Sequence, residues 1–297
     1  MASGGACEFE GWPLVFATID GARLCYKSVG ADASYPLIVL HGGPGFDHHE
    51  MSPWLDALGD TFRLIYLDER GQGLSDRVDP STLTLTRFAE DVSKLAGALD
   101  LERYALLGHS FGSFIALAHA VERGDATHYV ISGGTASFTK TAPEIEANLA
   151  AFEPEELREQ VTRSWALEPE ARTAEDVDRL WKMQAPFHFY RTDTDAYRRY
   201  MAESEQTVYA PGVLAYFARN AYPIEYEDRL ATIHRPTLVI TGQHDRTCTP
   251  RAARDLHAGI PGSELVILPD AGHMTFVEQP GMYLGAVRDF FARHPVG

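Results

Sequence analysis

Six short apolar runs recur along the chain and alternate with stretches of helical spacing. Each run is continuous rather than alternating, which is typical of strands that are covered on both faces. The runs are residues 36–40, 62–67, 104–107, 128–131, 237–240 and 264–268. Between the second and third runs, four apolar residues that begin at Phe88 and end at Leu99 share one helical face, which predicts a helix capped by Thr86. Strands that alternate with helices predict an α/β fold with a mostly parallel, doubly wound sheet.

Both ends of the chain add a further element. Near the start, residues 15–19 and 23–27 flank Asp20 and Gly21, which is a strong two-residue signal for a β-hairpin. Near the end, a helix is expected to begin at Pro280, because proline is favoured in the first helical turn.

The segment from residue 137 to residue 228 breaks the alternation. It is rich in Glu, Arg, Ala and aromatic residues and contains no convincing buried strand. We interpret it as a helical cap inserted at the carboxyl edge of the sheet, where open α/β sheets bind their ligands. The expected domains are therefore a core of residues 1–136 and 229–297 and a cap of residues 137–228.

Acidic residues outnumber basic residues, with 42 Asp and Glu against 26 Lys and Arg and a net charge of −16. A strongly acidic surface repels phosphate backbones and anionic lipids, so neither nucleic acid nor a membrane is an expected partner. The charge either draws cationic substrates or simply keeps the protein soluble. The sequence has no run of about 18 apolar residues, so no transmembrane helix is expected.

The composition also bears on where the protein works. With 45% hydrophobic and 23% charged residues, the 297-residue chain resembles an ordinary globular protein. The first residues lack the basic and apolar regions of a signal peptide, so a cytoplasmic location is expected. Cys7, Cys25 and Cys248 are odd in number and widely spaced, which favours free thiols over a disulfide framework.

The pentapeptide Gly108-His109-Ser110-Phe111-Gly112 carries the strongest chemical signal. An apolar run precedes it and a helical run of small residues follows it. In this context G-x-S-x-G indicates a strand-turn-helix elbow that exposes a nucleophilic serine. Ser110 would then stand at the N-terminus of a helix, whose dipole favours developing negative charge. The alternative is an ordinary serine in a glycine-rich turn.

A serine hydroxyl needs a base to become a nucleophile, and the base needs a carboxylate to orient it. In this architecture the expected chain order is Ser, acid, His. Asp245 follows the run at 237–240, and His273 follows the run at 264–268, so both come just past strand ends. The proposed triad is therefore Ser110, Asp245 and His273. The competing residues close to them in sequence are His109, His244 and Asp270.

A second glycine-rich loop, His-Gly-Gly-Pro-Gly at residues 41–45, follows the first buried run. Backbone N–H groups must face the position where negative charge develops, and glycines permit that close approach. The predicted oxyanion donors are the N–H groups of Phe111, directly after the nucleophile, and Gly43. The alternative is a tight glycine turn without a catalytic role.

Two other polar clusters allow more than one interpretation. For the turn at residues 68–75 (Asp-Glu-Arg-Gly-Gln-Gly-Leu-Ser) we favour a framing role through buried hydrogen bonds over substrate contact. Residues 47–50 (Asp-His-His-Glu) suggest a metal site, but adjacent histidines point apart on most backbones and no further ligand spacing supports one. We expect a solvated loop there. We expect no metal or cofactor, because dinucleotide, Walker and CxxC motifs are absent from the sequence.

Together these motifs resemble the α/β-hydrolase superfamily over nearly the whole chain outside the cap. The loop at 41–45 with the turn at 68–75 is similar to the HGGPG and DxRGxGxS motifs of the prolyl aminopeptidase group (proline iminopeptidase, peptidase family S33). The resemblance implies an α/β-hydrolase fold with an inserted helical cap. It also maps the family's triad and oxyanion donors onto the residues that the motifs indicate.

The serine elbow at residues 108–112 differs from that of the prolyl aminopeptidase group. Its members usually have Gly before the serine and Trp after it, whereas this chain has His109 and Phe111. These flanking residues are more similar to those of the esterase, lactonase and C–C hydrolase branches. The departure leaves the substrate open.

The family resemblance also implies cap glutamates that hold the free amino terminus of the substrate. The acidic candidates in the cap are Glu203, Glu205, Glu225 and Glu227. Gly42, Trp181 and Phe187 are further candidate substrate contacts. The aromatic residues belong either to the core of the cap or to the wall of the pocket.

The leading hypothesis is an aminopeptidase that releases N-terminal proline or a small apolar residue from short peptides. The alternative is a lactonase or carboxylesterase that uses the same triad on small acyl lactones or esters. A ligand-binding protein on a hydrolase scaffold is a third hypothesis, which the intact triad disfavours. The expected partner is a small molecule or a short peptide.

Overall fold

The computed structural model of the protein describes residues 7–9, 12–32, 34–220 and 224–296. Within this part of the chain, nine strands form one sheet in the order β1-β2-β3-β5-β4-β6-β7-β8-β9. The strands are β1 (Cys7–Phe9), β2 (Trp12–Ile19), β3 (Ala22–Val29), β4 (Tyr35–Leu40), β5 (Phe62–Leu67), β6 (Ala105–His109), β7 (Tyr129–Ser132), β8 (Thr237–Gly242) and β9 (Glu264–Leu268). The neighbours among β4 to β9 are parallel, whereas β1, β2 and β3 pair in an antiparallel manner.

The six apolar runs coincide with β4 to β9 to within two residues at either end. Alternate residues of each strand face opposite layers. In β4, Ile38 and Leu40 belong to one hydrophobic cluster, and Leu37 and Val39 belong to the other. Burial on both faces explains why the inner strands β4 to β8 have continuous apolar runs, and the prediction of a mostly parallel α/β sheet is confirmed.

The predicted hairpin is also confirmed. Strands β2 and β3 pair through Ile19 and Ala22, and only Asp20 and Gly21 lie between these two residues. Both turn residues have positive φ, 46° and 80°. This is the backbone of the tight turn that suits the twist of a hairpin, and it favours glycine at the second position.

Helices cover both faces of the sheet. Those outside the predicted cap are α1 (Leu85–Ala98), α2 (Phe111–Glu122), α8 (Pro250–Gly259), α9 (Thr275–Glu278) and α10 (Pro280–Arg293). The prediction of Pro280 as a helix start is confirmed. The prediction of Thr86 as the cap of α1 is wrong, because the Thr84 hydroxyl accepts the Arg87 N–H at 3.0 Å and α1 begins one residue later.

Between β7 and β8 the described chain forms helices and no named strand. The helices are α3 (Phe138–Ala150), α4 (Glu155–Leu167), α5 (Ala174–His188), α6 (Asp195–Glu203) and α7 (Pro211–Arg219). Their position between these two strands agrees with a helical insertion. The boundaries of the cap at residues 137 and 228 stay a prediction.

Two free thiols, Cys25 and Cys248, are buried in the described structure. The side chain of Cys7 lies outside the described part. Among the described residues, no helix combines the length and the apolar character needed to span a bilayer.

Candidate active site

Ser110 lies in the turn between β6 and α2 with φ 51° and ψ −118°. Few residues adopt this backbone, so the surrounding structure must hold it in place. The Ser110 N–H donates to the Ser132 carbonyl of β7 at 2.9 Å. A Cβ on Gly108 would lie 2.1 Å from the Gly112 oxygen, and a Cβ on Gly112 would lie 2.4 Å from the Leu40 oxygen. The glycines of the elbow are therefore required by close backbone contacts.

His273 and Asp245 come together at the same edge of the sheet. The Nδ1 atom of His273 lies 2.7 Å from Oδ2 of Asp245. An ionised carboxylate only accepts, so Nδ1 carries the proton and the Nε2 lone pair is left for another partner. Burial alone would lower the pKa of His273, but the Asp245 carboxylate raises this pKa above its usual value overall.

Asp245 is itself held in place. Its Oδ1 atom accepts the N–H groups of Thr247 at 2.9 Å and Cys248 at 3.0 Å. Its other oxygen is thus directed to His273. A carboxylate that orients an imidazole in this way is the geometry expected for two members of the predicted triad, whose roles stay a prediction.

A cavity of about 290 Å³ lies over this edge of the sheet. Ser110 and His273 both contribute to its wall. Core residues that share the wall include Gly43, Phe46, Glu50 and Phe114, and residues of the insertion that share it include Trp165, Glu168, Trp181, Gln184 and His188. The structure therefore brings the predicted nucleophile and base to one cavity, and residues of the helical insertion form part of its wall.

Two carboxylates that the sequence analysis did not select face this cavity. Glu168 follows α4, and its Oε1 accepts the side-chain amide of Gln184 at 2.6 Å. Burial raises the pKa of Glu168 to about 7, against the opposing effect of the Gln184 hydrogen bond. Glu50 is buried and accepts the Gly42 N–H. Burial raises the pKa of Glu50, and the charge of His41 opposes this effect.

The acidic residues selected from the cap lie elsewhere, because Glu203, Glu205, Glu225 and Glu227 are all missing from the described lining of the cavity. Glu203 pairs with Arg199 at 3.6 Å. Glu205 is 70% exposed and lies 3.8 Å from Lys182. Both are surface carboxylates with surface partners, so Glu168 and Glu50 replace them as candidates.

Of the aromatic and glycine residues predicted to contact substrate, one lines the cavity and two do not. Trp181 lines the cavity, as the sequence suggested. Phe187 is fully buried in the core of the insertion, with ring centroids 5.2 Å from Phe152 and 5.3 Å from Trp165, and is not among the described lining residues. Gly42 is not among them either; it is buried and its N–H is bonded to Glu50.

Of the two predicted oxyanion donors, one adjoins the nucleophile in sequence and the other shares the cavity wall with it. Phe111 is the first residue of α2, directly after Ser110. Gly43 lines the cavity with φ 108°, and a Cβ there would lie 2.8 Å from the Phe46 ring. Only glycine accommodates this backbone and this contact. The roles of these N–H groups stay a prediction.

The turn at residues 68–75 supports the glycine loop at residues 41–45. The Gln72 side chain accepts the Gly45 N–H, and the Gly73 N–H donates to the Phe46 carbonyl at 3.1 Å. These buried bonds agree with the framing role that we favour for the turn.

Asp47, His48 and His49 form a compact cluster, and the expectation of a solvated loop is wrong there. Asp47 and His48 are buried, and the two imidazole rings stack at 4.2 Å instead of pointing apart. His48 Nδ1 pairs with Asp68 at 2.8 Å, and His49 Nδ1 pairs with Asp47 at 2.8 Å. Each imidazole is thus paired with a carboxylate, and these pairs hold the loop in place.

The residues that competed with the proposed triad in the sequence, His109, His244 and Asp270, lie in different environments. His109 is buried, with Nδ1 3.2 Å from the Ser132 hydroxyl. His244 stacks on Tyr190 at 3.8 Å, and Asp270 is exposed.

His188 is an additional imidazole in the cavity wall that sequence reasoning missed. Its Nδ1 donates to the Gln184 carbonyl at 3.2 Å, and its ring centroid lies 5.6 Å from that of His273. Burial and the nearby charge of His273 lower the pKa of His188 to about 4. His188 is therefore neutral near pH 7.

The family is established by comparison with known proteins. Residues 35–280 match the model for the alpha/beta hydrolase fold, and the chain belongs to the α/β-hydrolase family. This agrees with the parallel sheet, the serine elbow and the order of the site residues along the chain.

Proline iminopeptidases are among the relatives of the chain. One from Pestalotiopsis fici is 27% identical over 289 residues, which cover 92% of this chain and 97% of that protein. Another, from Heyndrickxia coagulans, is 27% identical over 293 residues, which cover 93% of this chain and 97% of that protein. The chain is therefore a hydrolase that resembles prolyl aminopeptidases.

Solved structures agree with this family. A proline iminopeptidase-related protein from Thermus thermophilus has a TM-score of 0.73 at 26% identity, covering 94% of this chain and 96% of that chain. The proline iminopeptidase of Mycobacterium smegmatis has a TM-score of 0.75 at 24% identity, covering 95% of this chain and 98% of that chain. The second likeness concerns the fold alone.

Proposed function

We propose that the protein is a serine aminopeptidase that releases N-terminal proline or a small apolar residue from short peptides. The observation that carries the proposal is the presence of two carboxylates, the half-buried Glu168 and the buried Glu50, in the same cavity as Ser110 and His273. Glu50 already has the Gly42 N–H and the charge of His41, whereas the hydrogen bond described for Glu168 comes from the neutral Gln184 amide. A carboxylate removed from water is costly unless it meets a positive charge. The ammonium group of a peptide N-terminus supplies that charge next to the nucleophile.

The proposed reaction begins with attack of the Ser110 hydroxyl on the carbonyl carbon of the first residue. His273 Nε2 takes the hydroxyl proton, and Asp245 holds the imidazole and stabilises its positive form. The N–H groups of Gly43 and Phe111 donate to the oxyanion. His273 then protonates the leaving amine, and a water molecule, activated in the same manner, hydrolyses the acyl-enzyme.

The size and lining of the cavity support a small first residue. A volume of about 290 Å³ is at the lower end of the usual range for ligand sites. Phe46, Trp165 and Trp181 give it aromatic walls. A proline ring packs well against such walls while its ring nitrogen, which is protonated at neutral pH, meets a carboxylate.

We also infer that residues 137–228 act as a cap. Trp165, Glu168 and His188 from this segment line the cavity opposite residues of the core. Substrate selection would then depend on the insertion, and bond cleavage on the core.

Proline arylamides with a free and with an acetylated ring nitrogen form the test. We expect rapid turnover of the free form and a loss of at least about tenfold in kcat/KM on acetylation, because a charge-assisted hydrogen bond is worth about 1.5–3 kcal/mol. A fluorophosphonate probe should label wild type and not Ser110→Ala. Turnover of esters without any turnover of the free proline arylamide would reject the aminopeptidase.

A lactonase or carboxylesterase is the second candidate. It is favoured by His109 and Phe111 on either side of Ser110, and by apolar wall residues such as Phe138 and Ile145. A panel of small lactones and p-nitrophenyl esters distinguishes the two functions, since an esterase has no need of a substrate amino group.

A further inference from the structure

The segment that follows α5 lies against the two loops that carry His273 and Asp245. The His273 N–H donates to the carbonyl of His188 at 2.7 Å. Arg246, next to Asp245, donates from Nη1 to the carbonyls of Phe187 at 3.1 Å and Phe189 at 2.8 Å. The backbone carbonyls at the end of α5 thus accept hydrogen bonds from both loops.

Glu278 connects the same two parts through one carboxylate. It is the last residue of α9, five positions after His273. Its Oε2 accepts the Gly272 N–H at 2.7 Å. Its Oε1 accepts the N–H groups of Tyr190 at 2.7 Å and Arg191 at 3.4 Å. One side chain therefore holds the residue before His273 and the segment that supplies His188 to the cavity wall.

The backbones at this junction are in close contact. A Cβ on Gly272 would lie 2.6 Å from both the His188 oxygen and the Tyr190 nitrogen. Glycine is required here because the loop passes directly over the segment. A small displacement of Gly272 would therefore move His273, which follows it.

We propose that Glu278 is a positioning residue. It keeps the His273 side chain correctly placed relative to Ser110, because its carboxylate holds Gly272 against the segment after α5. The proposal rests on the proposed function of Ser110 and His273. Among the described residues, Glu278 is not part of the cavity wall, so it acts through His273 and not by contact with substrate. Loss of the tie leaves the substrate pocket in place and reduces the fraction of molecules with a correctly placed base.

Glu278→Gln is the test variant. It preserves the size of the side chain, but one of its two acceptor oxygens becomes an amide NH2 that faces an N–H donor. We expect kcat for a p-nitrophenyl ester and for proline arylamide to fall about 10–100-fold, as is typical for residues that orient a functional side chain. KM should stay within about twofold. The low-field proton resonance of the His273 Nδ1–H should shift or broaden.

Glu225→Gln is the matched control. Glu225 also ties two segments, since it accepts the Thr139 N–H at 2.9 Å and the Ser137 hydroxyl at 2.7 Å, and it too is not among the described lining residues. Its substitution should leave kcat and the His273 resonance unchanged. If Glu278→Gln does not fold, Glu278→Asp is measured in the same way. Its shorter side chain does not reach both partners, so the same changes are expected.

The outcomes separate this proposal from the proposed function. Wild-type kcat in Glu278→Gln, or an equal loss in both Glu→Gln variants, overturns the positioning role. If wild type turns over neither substrate and Ser110 is not labelled by the fluorophosphonate, the proposed function fails instead. In that case the His273 resonance still tests the tie, because an unchanged resonance in Glu278→Gln refutes it.

Discussion

At the scale of single residues, Ser110 has a demanding backbone position, since its φ of 51° is held between β6, β7 and α2. As the proposed nucleophile, it should be indispensable. We expect Ser110→Ala to reduce kcat by a factor on the order of 10⁶, with unchanged thermal unfolding. Proline should still bind to the variant by calorimetry. Turnover within tenfold of wild type would exclude a serine nucleophile at this position.

Glu168 gives a residue-scale prediction about substrate recognition. Glu168→Gln keeps the side chain's size but removes its charge, so the proposed ammonium contact weakens. We expect KM for free proline arylamide to rise about 10–100-fold, equivalent to about 1.5–3 kcal/mol. Kinetics with a neutral p-nitrophenyl ester should not change. Glu205→Gln, at a surface carboxylate, is the control, and an equal effect in both variants would argue against Glu168.

The raised pKa of Glu168 adds a pH dependence. Because burial raises this pKa to about 7, the side chain is protonated and neutral below about pH 7. The attraction for ammonium is therefore present above pH 7 and is lost as the pH falls through that value. We expect KM for free proline arylamide to rise between pH 8 and pH 6, measured by initial rates. The ester should show no such rise, and Glu168→Gln should show none for either substrate.

At the scale of secondary-structure elements, the close packing of α2 against β4 is set by a glycine. A Cβ on Gly112 would lie 2.4 Å from the Leu40 oxygen and 2.5 Å from the His41 oxygen. Gly112→Ala should therefore destabilise the protein by roughly 1–3 kcal/mol and impair turnover, because the glycine loop that follows β4 must move. Chemical denaturation provides the measurement. Gly285→Ala in α10 is the control, since a Cβ there meets nothing within 4 Å, and it should be neutral or slightly stabilising.

Another element-scale prediction concerns the pair that fastens α1 to the turn after β5. Arg70 and Asp91 are buried and bonded twice, at 2.7 and 2.8 Å, and Arg70 also donates to the Ile19 carbonyl. Removing Arg70 leaves the buried Asp91 carboxylate with Arg87, at 3.0 Å, as its remaining arginine partner. Arg70→Met should therefore lower the free energy of unfolding by about 1–3 kcal/mol, the cost of a buried polar group that loses one partner. Arg172→Met, at an exposed arginine, should change it little, and similar losses in both variants would contradict the argument.

The elements were predictable to different degrees. The inner strands β4 to β8 are mostly buried on both faces, and this leaves continuous apolar runs in the sequence. The edge strand β9 also has an apolar run, although four of its five residues are only partly buried. The N-cap of α1 was not predictable to the residue, since Thr84 and Thr86 both precede the same helical pattern and only the hydrogen bond to Arg87 distinguishes them. The five helices between β7 and β8 were predictable as a helical segment, but their packing was not.

At the scale of the whole molecule, some residues of the candidate site were predictable from the sequence and others were not. Ser110, Asp245 and His273 follow parallel strands, so the sheet brings them to one edge and sequence order alone was enough to expect it. Glu168 has no such constraint. In the sequence it resembles Glu203 and Glu205, and only the folding of α4 and α5 over the core makes it face the cavity. The tertiary packing of the insertion therefore determines which carboxylates face the cavity, and the local sequence pattern does not reveal this packing.

The net charge of −16 gives the whole-molecule prediction. An acidic surface that leads to an acidic cavity should raise the local concentration of a cationic substrate, and salt should screen this attraction because the Debye length falls from about 30 Å at 0.01 M to about 3 Å at 1 M. We expect kcat/KM for free proline arylamide to fall several-fold over that range in stopped-flow or steady-state assays. The neutral ester is the internal control, with a change of less than about twofold. A salt effect of equal size on both substrates would mean that salt acts on the protein and not on electrostatic attraction of the amino group.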